Sequence, residues 1–291
     1  MKLLFVYDNS IGIHYLKQAL SCVPPEKAEI KIIKLSEYPA FDDSQFDGLI
    51  YNTFPDESHR HKFRKDLIAV TDEKFISFAS KKKFLLLDSH DDGNNDAFCR
   101  FGYPKYPRIK LAPGTKMQSL LNIAIEVPFA VNVQFMNTTK QKSVPLVYCA
   151  KLDGYETDIR KKVFDAIAPF NPFISRLDLY AYADVLTKAK IVVVAPGWGE
   201  VCLAHYEALA AGAMLFAHES VRNYKLFPFA DLIEDKHYVL YNLENITEKL
   251  TDLMANSFKV ARISKAGSKA FYKGYNLSKT AEQIIDFFSE R

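Results

Sequence analysis

IVVVAPGWGEVCLAHYEALAAGAMLFA, residues 191–217, is the stretch that decides how this chain folds. Ile191 to Ala195 is an apolar run of strand length, stopped by Pro196 and Gly197. Glu200 to Ala211 has helix-forming composition and carries a second acid, Glu207, seven residues after the first. Seven steps of about 100° return to nearly the same helix face, so the spacing predicts two carboxylates looking into one cleft. Gly212 ends the helix as a C-terminal cap would, and Ala213 to Ala217 re-enters the core. The turn between strand and helix holds Gly197, Trp198, Gly199 and Glu200. Such a turn suits a phosphorylated ligand, because glycines let backbone N–H groups approach phosphate oxygens at a helix N-terminus.

Outward from this unit the chain alternates strands and helices twice over. In the first half, strands are expected at 3–7, 29–34, 48–51 and 84–87, with helices at 11–22 and 57–80. Between Asp88 and Thr115 no period is visible, which reads as a long functional loop, and helical residues follow near 117–125. The stretch with Pro128 and Pro145 marks a domain boundary, giving domains 1–130 and 131–291. The second half starts afresh with a strand at 146–150 and helices at 156–168 and 179–189. Beyond the central unit come a strand at 237–241 and three closing helices, the last near 278–288. The predicted class is α/β: two doubly wound Rossmann-like domains facing a central cleft, the C-terminal helix a candidate to cross back to the first.

Composition narrows the function classes. With 48% hydrophobic and 25% charged residues, the chain reads as globular and able to bury two cores. A formal net charge of +3 argues against a dedicated nucleic-acid binder. Cys22, Cys99, Cys149 and Cys202 form no CxxC pair, which fits reduced, mostly buried thiols in a cytoplasmic protein. MKLLFVYDNS predicts a first core strand and not a signal peptide, and no apolar run approaches the ~20 residues of a membrane span. The sequence leaves oligomeric state open.

The second half resembles the C-terminal domain of GT-B glycosyltransferases, nearest to the group-1 and spore-protein-like branch. The resemblance rests on VVVAPGWGE (192–200), HYEALAAGAMLF (205–216) and the tail ISKAGSKAFYKGYNLSKTAEQIIDFF (263–288). It covers roughly residues 146–288; over 1–125 it is architectural only. It implies a nucleotide-sugar donor, a glycan or small-molecule acceptor, and transfer of a hexosyl or pentosyl group in glycan biosynthesis. With backbone dipoles and cations stabilising the diphosphate, neither a metal nor another cofactor is expected. In that family a Glu-Ala-x-Ala-x-Gly helix supplies a carboxylate to the ribose, and Glu207, followed by Ala208, Ala210 and Gly212, matches it. Retaining members usually show Glu-x7-Glu across the turn. Here six residues separate Glu200 from Glu207, so the stereochemical course does not follow from the resemblance.

Each candidate residue has a plainer alternative. Glu207 could accept from both ribose hydroxyls, or form an ion pair on a helix face. Glu200 could act in catalysis and donor binding, or simply favour the helix dipole. Trp198 could stack on a base or sugar, or fill an interface. Lys151 follows the first strand of the second domain, where the resemblance places a cation against the diphosphate, and Arg160 lies one loop and a helical turn further on. Both could neutralise charge on the leaving group, or be solvated surface. On the acceptor side, His14 follows the first strand at a position resembling the histidine base of some inverting enzymes. In the run Asp88-Ser89-His90-Asp91-Asp92-Gly93, Asp91 is a candidate base, and Asp88 and His90 candidate acceptor contacts. An Asx-rich turn is the structural alternative there. The same run supports a rival function, a metal-dependent phosphoesterase or an Asp-x-Asp-type transferase. A non-catalytic nucleotide or sugar binder is the other alternative.

Overall fold

A computed structural model of the chain describes residues 1–7, 13–52, 65–88, 107–111, 123–127, 131, 133–136, 138–150, 152, 157–174, 177–196, 201–223 and 231–290. They cluster into two compact units, Met1–Ala130 with Asn276–Arg291, and Val131–Tyr275.

The first unit is built on a six-stranded sheet. Its elements are β1 (Lys2–Tyr7), α1 (Ile13–Ser21), β2 (Glu29–Lys34), β3 (Gly48–Asn52), α2 (Lys65–Ala79), β4 (Lys83–Asp88), β5 (Arg108–Leu111) and β6 (Ile123–Val127). The final helix of the chain, here α8 (Leu277–Ser289), returns to this unit. Strand order is β2-β1-β3-β4-β5-β6, every pairing parallel. Leu3 to Val6 are wholly buried, as a parallel strand covered on both faces requires. Alternate residues serve opposite faces. Leu4, Val6, Leu49, Tyr51 and Leu86 pack with Phe75 and Phe78 of α2. On the other face α8 lies so close that a Cβ on Gly48 would stand 2.5 Å from the Phe288 ring and 2.8 Å from Leu3. Glycine is therefore the residue this close approach allows. The Tyr15 hydroxyl of α1 and Thr280 Oγ1 of α8, both fully buried residues, are 3.0 Å apart.

Two expectations are corrected here. Within the stretch read as loop from 88 to 115, Arg108–Leu111 is a strand that pairs with both β4 and β6, and Ile109 is fully buried. Within the stretch read as helical near 117–125, Ile123 to Ile125 belong to β6, where Ile125 and Val127 are buried and Ala124 is exposed. The period of IAIEV is two, and its β-branched residues prefer the pleat. Four- and five-residue strands offer too short a pattern to outweigh their surroundings in sequence.

The second unit contains β7 (Val144–Tyr148), α3 (Thr157–Ile167), α4 (Leu179–Lys188), β8 (Ala189–Val194), α5 (Leu203–Ala210), β9 (Met214–His218), β10 (Val239–Tyr241), α6 (Ile246–Ala255) and α7 (Ser257–Gly274). Its parallel sheet has the order β10-β9-β8-β7, and Phe173 adds one bridge to Val147 on the outer side of β7. The chain thus leaves β7 through α3 toward Phe173, then returns through α4 to β8. Leu146, Tyr148, Ile191 and Val193 share a core with Val163 and Ile167 of α3 and with α6. Helices α4 and α5 contact β7, β8 and β9, and right-handed crossovers put them on the opposite face. Consecutive connections therefore diverge between β7 and β8, the topological switch point of a doubly wound sheet.

Local chemistry marks the helix starts. Asp178 Oδ1 accepts from the N–H groups of Tyr180 and Ala181 at 2.9 Å, capping α4. Asn256 and Asn276 cap α7 and α8 in the same way, accepting from Lys259 and Lys279. Gly212 has φ 67°, the left-handed conformation expected just past the end of α5.

Candidate functional site

At the switch point, β7 ends at Tyr148, with Cys149 next, and β8 ends at Val194, with Ala195 and Pro196 next. The Tyr148 hydroxyl donates to the carbonyl of Arg160 at 2.6 Å, fixing the first turns of α3 against the end of β7. Arg160 Nε in turn donates to the carbonyl of Pro196 at 2.9 Å. The half-buried Arg160 is thereby tied to the residue that directly precedes Gly197 in sequence.

Glu207 lies on α5. It is 9% exposed, one of few buried charged side chains among the described residues. The Tyr182 hydroxyl of α4 donates to Glu207 Oε2 at 3.0 Å and lies 3.4 Å from Cys149 Sγ. Burial pushes the Glu207 carboxyl up from 4.5 to about 7, while the tyrosine hydrogen bond pulls the other way. Burial also raises the Cys149 thiol to about 12, which makes it an inert neutral group and not a nucleophile. The Tyr182 hydroxyl, raised by burial and by the two neighbouring acids, stays protonated and serves as a fixed donor.

Helix α5 is anchored by its own histidine. The N–H of Cys202 donates to His205 Nδ1 at 3.0 Å, closing the N-terminal turn. Burial lowers His205 to about 4, so the ring is neutral. Because the helix begins at Leu203, Glu200 lies ahead of it, and the seven-step argument joining Glu200 to Glu207 on one face does not hold. The opening turn is spent on Val201 and the Cys202–His205 cap. At the other end of α5, Lys142 Nζ donates to the carbonyls of Thr187 and Ala211 at 2.8 Å, tying the ends of α4 and α5 together.

Of the residues singled out in the sequence, Arg160 and Glu207 are brought to this edge with their side chains in view. Asp88 is the last residue of β4, and His14 is the second residue of α1; both lie at the carboxyl side of the first unit's sheet. Their side chains lie outside the described set, as do residues 89–106, which hold His90 and Asp91. Lys151, Gly197, Trp198, Gly199 and Glu200 also lie outside the described residues. Tyr182 and His205 were not singled out, and Cys149 was read only as a reduced thiol. The signal available for Tyr182 was its place three residues into a capped helix just ahead of β8; nothing in the sequence paired it with Glu207. Among the described residues no group of three or more His, Cys, Asp or Glu is arranged to hold a metal ion, and no helix is long and apolar enough to cross a membrane.

Neither a family model nor a curated protein matches the chain. Solved structures do. A sucrose-phosphate synthase from Thermosynechococcus elongatus aligns with a TM-score of 0.61 at 9% identity, over 99% of this chain and 98% of that one. HepE from Anabaena, in complex with UDP and glucose, aligns with a TM-score of 0.61 at 8% identity, over 99% of each chain. A glycosyltransferase from Rickettsia africae gives 0.56 at 9% identity, over 99% and 97%. At such identities the likeness is one of fold, and the fold is that of the GT-B glycosyltransferases: two Rossmann-like domains in one chain.

Proposed function

We propose that this protein is a glycosyltransferase that moves a sugar from a nucleoside-diphosphate sugar to an acceptor hydroxyl. The observation that carries the reading is the carboxyl of Glu207, buried at the switch point of the second unit and held by Tyr182. A carboxylate there can accept from two vicinal hydroxyls at once, the pattern a ribose presents. Arg160, tethered at Pro196, would meet the diphosphate beside the glycine turn and stabilise the charge that builds on it as the sugar leaves. Lys151, Gly197, Trp198, Gly199 and Glu200 complete the donor site in this reading. HepE, a structural neighbour of this fold, has been seen with UDP and with UDP-glucose, which supports a uracil nucleotide as the first donor to try.

With cations and backbone dipoles facing the diphosphate, the reaction would run without a metal. Asp91 and His14 are the candidate bases for the acceptor hydroxyl, and Asp88 and His90 its candidate contacts. A cytoplasmic location fits a nucleotide-sugar donor.

A panel of UDP, GDP, ADP and dTDP in thermal unfolding tests the reading, because stabilisation follows the ratio of ligand to dissociation constant. One nucleotide should raise the midpoint of the wild type and fail to raise that of Glu207→Ala. Equal stabilisation of both proteins would remove the ribose role. Hydrolysis or transfer from the matching nucleotide-sugar, retained in excess chelator, is the expected activity. Loss of that activity on chelation would overturn the metal-free mechanism.

A further inference from the structure

Helix α7 carries five cations, Lys259, Arg262, Lys265, Lys269 and Lys273, and no acid in its eighteen residues. At about 100° per residue, Phe258, Arg262, Lys265, Lys269, Tyr272 and Lys273 fall within an arc of roughly 100°. All six are exposed. The opposite arc, with Val260, Ile263, Gly267 and Phe271, is buried against the second unit, so the basic arc has a fixed direction.

The ends of this arc are apolar. Phe258 is 80% exposed, and beside it Met254 and Leu253 border an apolar cavity of about 460 Å³ that Pro145 and Ile191 floor. Tyr272 is 43% exposed although its hydroxyl donates to the carbonyl of Ala210. At the far half of the helix, Lys269 and Lys273 share a cavity of about 520 Å³ with Lys236 and His237, large enough for a phosphate headgroup. Acids do approach the arc. Asp252 pairs with Lys259 at 2.7 Å, Asp231 borders the second cavity, and the carbonyl of Asp235 is 3.5 Å from Arg262 Nη2. Among the described residues no carboxylate forms an ion pair with Arg262, Lys265, Lys269 or Lys273.

We infer that this face of α7 docks on an anionic lipid bilayer. A row of cations with an exposed phenylalanine at one end and a tyrosine near the other matches the chemistry of a membrane interface: lipid phosphates meet the cations, and the rings enter the headgroup–acyl boundary. A soluble polyanion without aromatic groups, such as heparin, would use the cations but gain nothing from Phe258.

Co-sedimentation of the full chain with vesicles tests this. The wild type should pellet with vesicles of equal parts phosphatidylglycerol and phosphatidylcholine and remain in solution with phosphatidylcholine alone. Combined Arg262→Glu, Lys265→Glu and Lys269→Glu should reduce partitioning by more than tenfold, at roughly fivefold per cation removed. Phe258→Ser should reduce it several-fold with every cation in place. Should the triple variant fail to fold in a thermal melt, Arg262→Gln with Lys269→Gln carries the same test. A wild type that stays in solution with the anionic vesicles would overturn the inference. So would charge variants that pellet like the wild type, or a Phe258→Ser protein unchanged toward vesicles while heparin displaces it, which marks a soluble polyanion as the ligand.

Discussion

The hydroxyl of Tyr182 donates to Glu207 Oε2 across 3.0 Å, joining two helices that lie on the same face of the second sheet. That hydrogen bond is what keeps a buried carboxyl from being a purely neutral acid. Burial alone would hold the proton on; the tyrosine favours the ionised form, and the outcome is a group that titrates near 7.

Glu207 should therefore act against stability as pH rises. Its folded pKa is above its unfolded value, so the folded chain binds more protons between about pH 4.5 and 7 and loses stability across that window. Glu207→Gln should remove the slope, and the variant should gain up to about 3 kcal/mol over the wild type above pH 7. Melting curves of the two proteins at matched pH check this; a difference that is the same at low and high pH would contradict it.

His205 has the opposite sign. Burial depresses its pKa from 6.5 to about 4, so the stability it contributes is full above 6.5 and is lost as pH falls toward 4. The two slopes oppose each other in the wild type. In Glu207→Gln, the His205 slope should stand alone, and stability between about pH 4 and 6.5 should rise with pH more steeply than in the parent. Chemical denaturation across that range reads it directly.

Tyr182→Phe should leave the ring packing intact and remove the donor. The Glu207 pKa should then rise further, at a stability cost of about 1.5–3 kcal/mol where the carboxylate would be charged and less where it is protonated. Nucleotide affinity should also shift to higher pH. A variant that binds nucleotide with the pH profile of the wild type would show that the tyrosine does not tune the carboxyl.

Nucleotide binding itself should take a proton off Glu207, since a diol donating to the carboxylate favours its charged form. Calorimetry near pH 7 in buffers of different ionisation enthalpy should show proton release that Glu207→Gln lacks. The variant is the needed reference, because a nucleoside diphosphate also titrates near this pH.

Gly48 and Phe288 should behave as a coupled pair. Gly48→Ala places a methyl 2.5 Å from the ring and should cost about 1–3 kcal/mol. Phe288→Ala opens space and should cost about 3–5 kcal/mol on its own. Together the losses should fall short of their sum, because the methyl enters the room the ring vacated. Strict additivity in a double-mutant cycle would show that the last helix does not press on β3.

The contrast between legible and hidden features has a physical pattern. Ile191–Val194, Gly212 and the three closing helices were readable because each declares itself within a few residues, by an apolar run, a cap or a 3.6-residue period. Arg108–Leu111 was not readable, because four residues make a strand only when β4 and β6 supply partners on both sides. The start of α5 was misplaced by three residues because Glu200 suits a first helical turn in isolation, whereas the folded chain caps the helix with Cys202 and His205. Glu207 was legible as a candidate from its Glu-Ala-x-Ala-x-Gly context alone.

The order of residues determined the alternation of strand and helix, the turn chemistry and the two parallel sheets, since these follow from spacing and backbone preference. Only the tertiary structure decided what Glu207 is. Its partner Tyr182 lies 25 residues away, and its proton affinity comes from the water that packing excludes. Desolvation is a property of everything around a group at once, and no local stretch of sequence carries it.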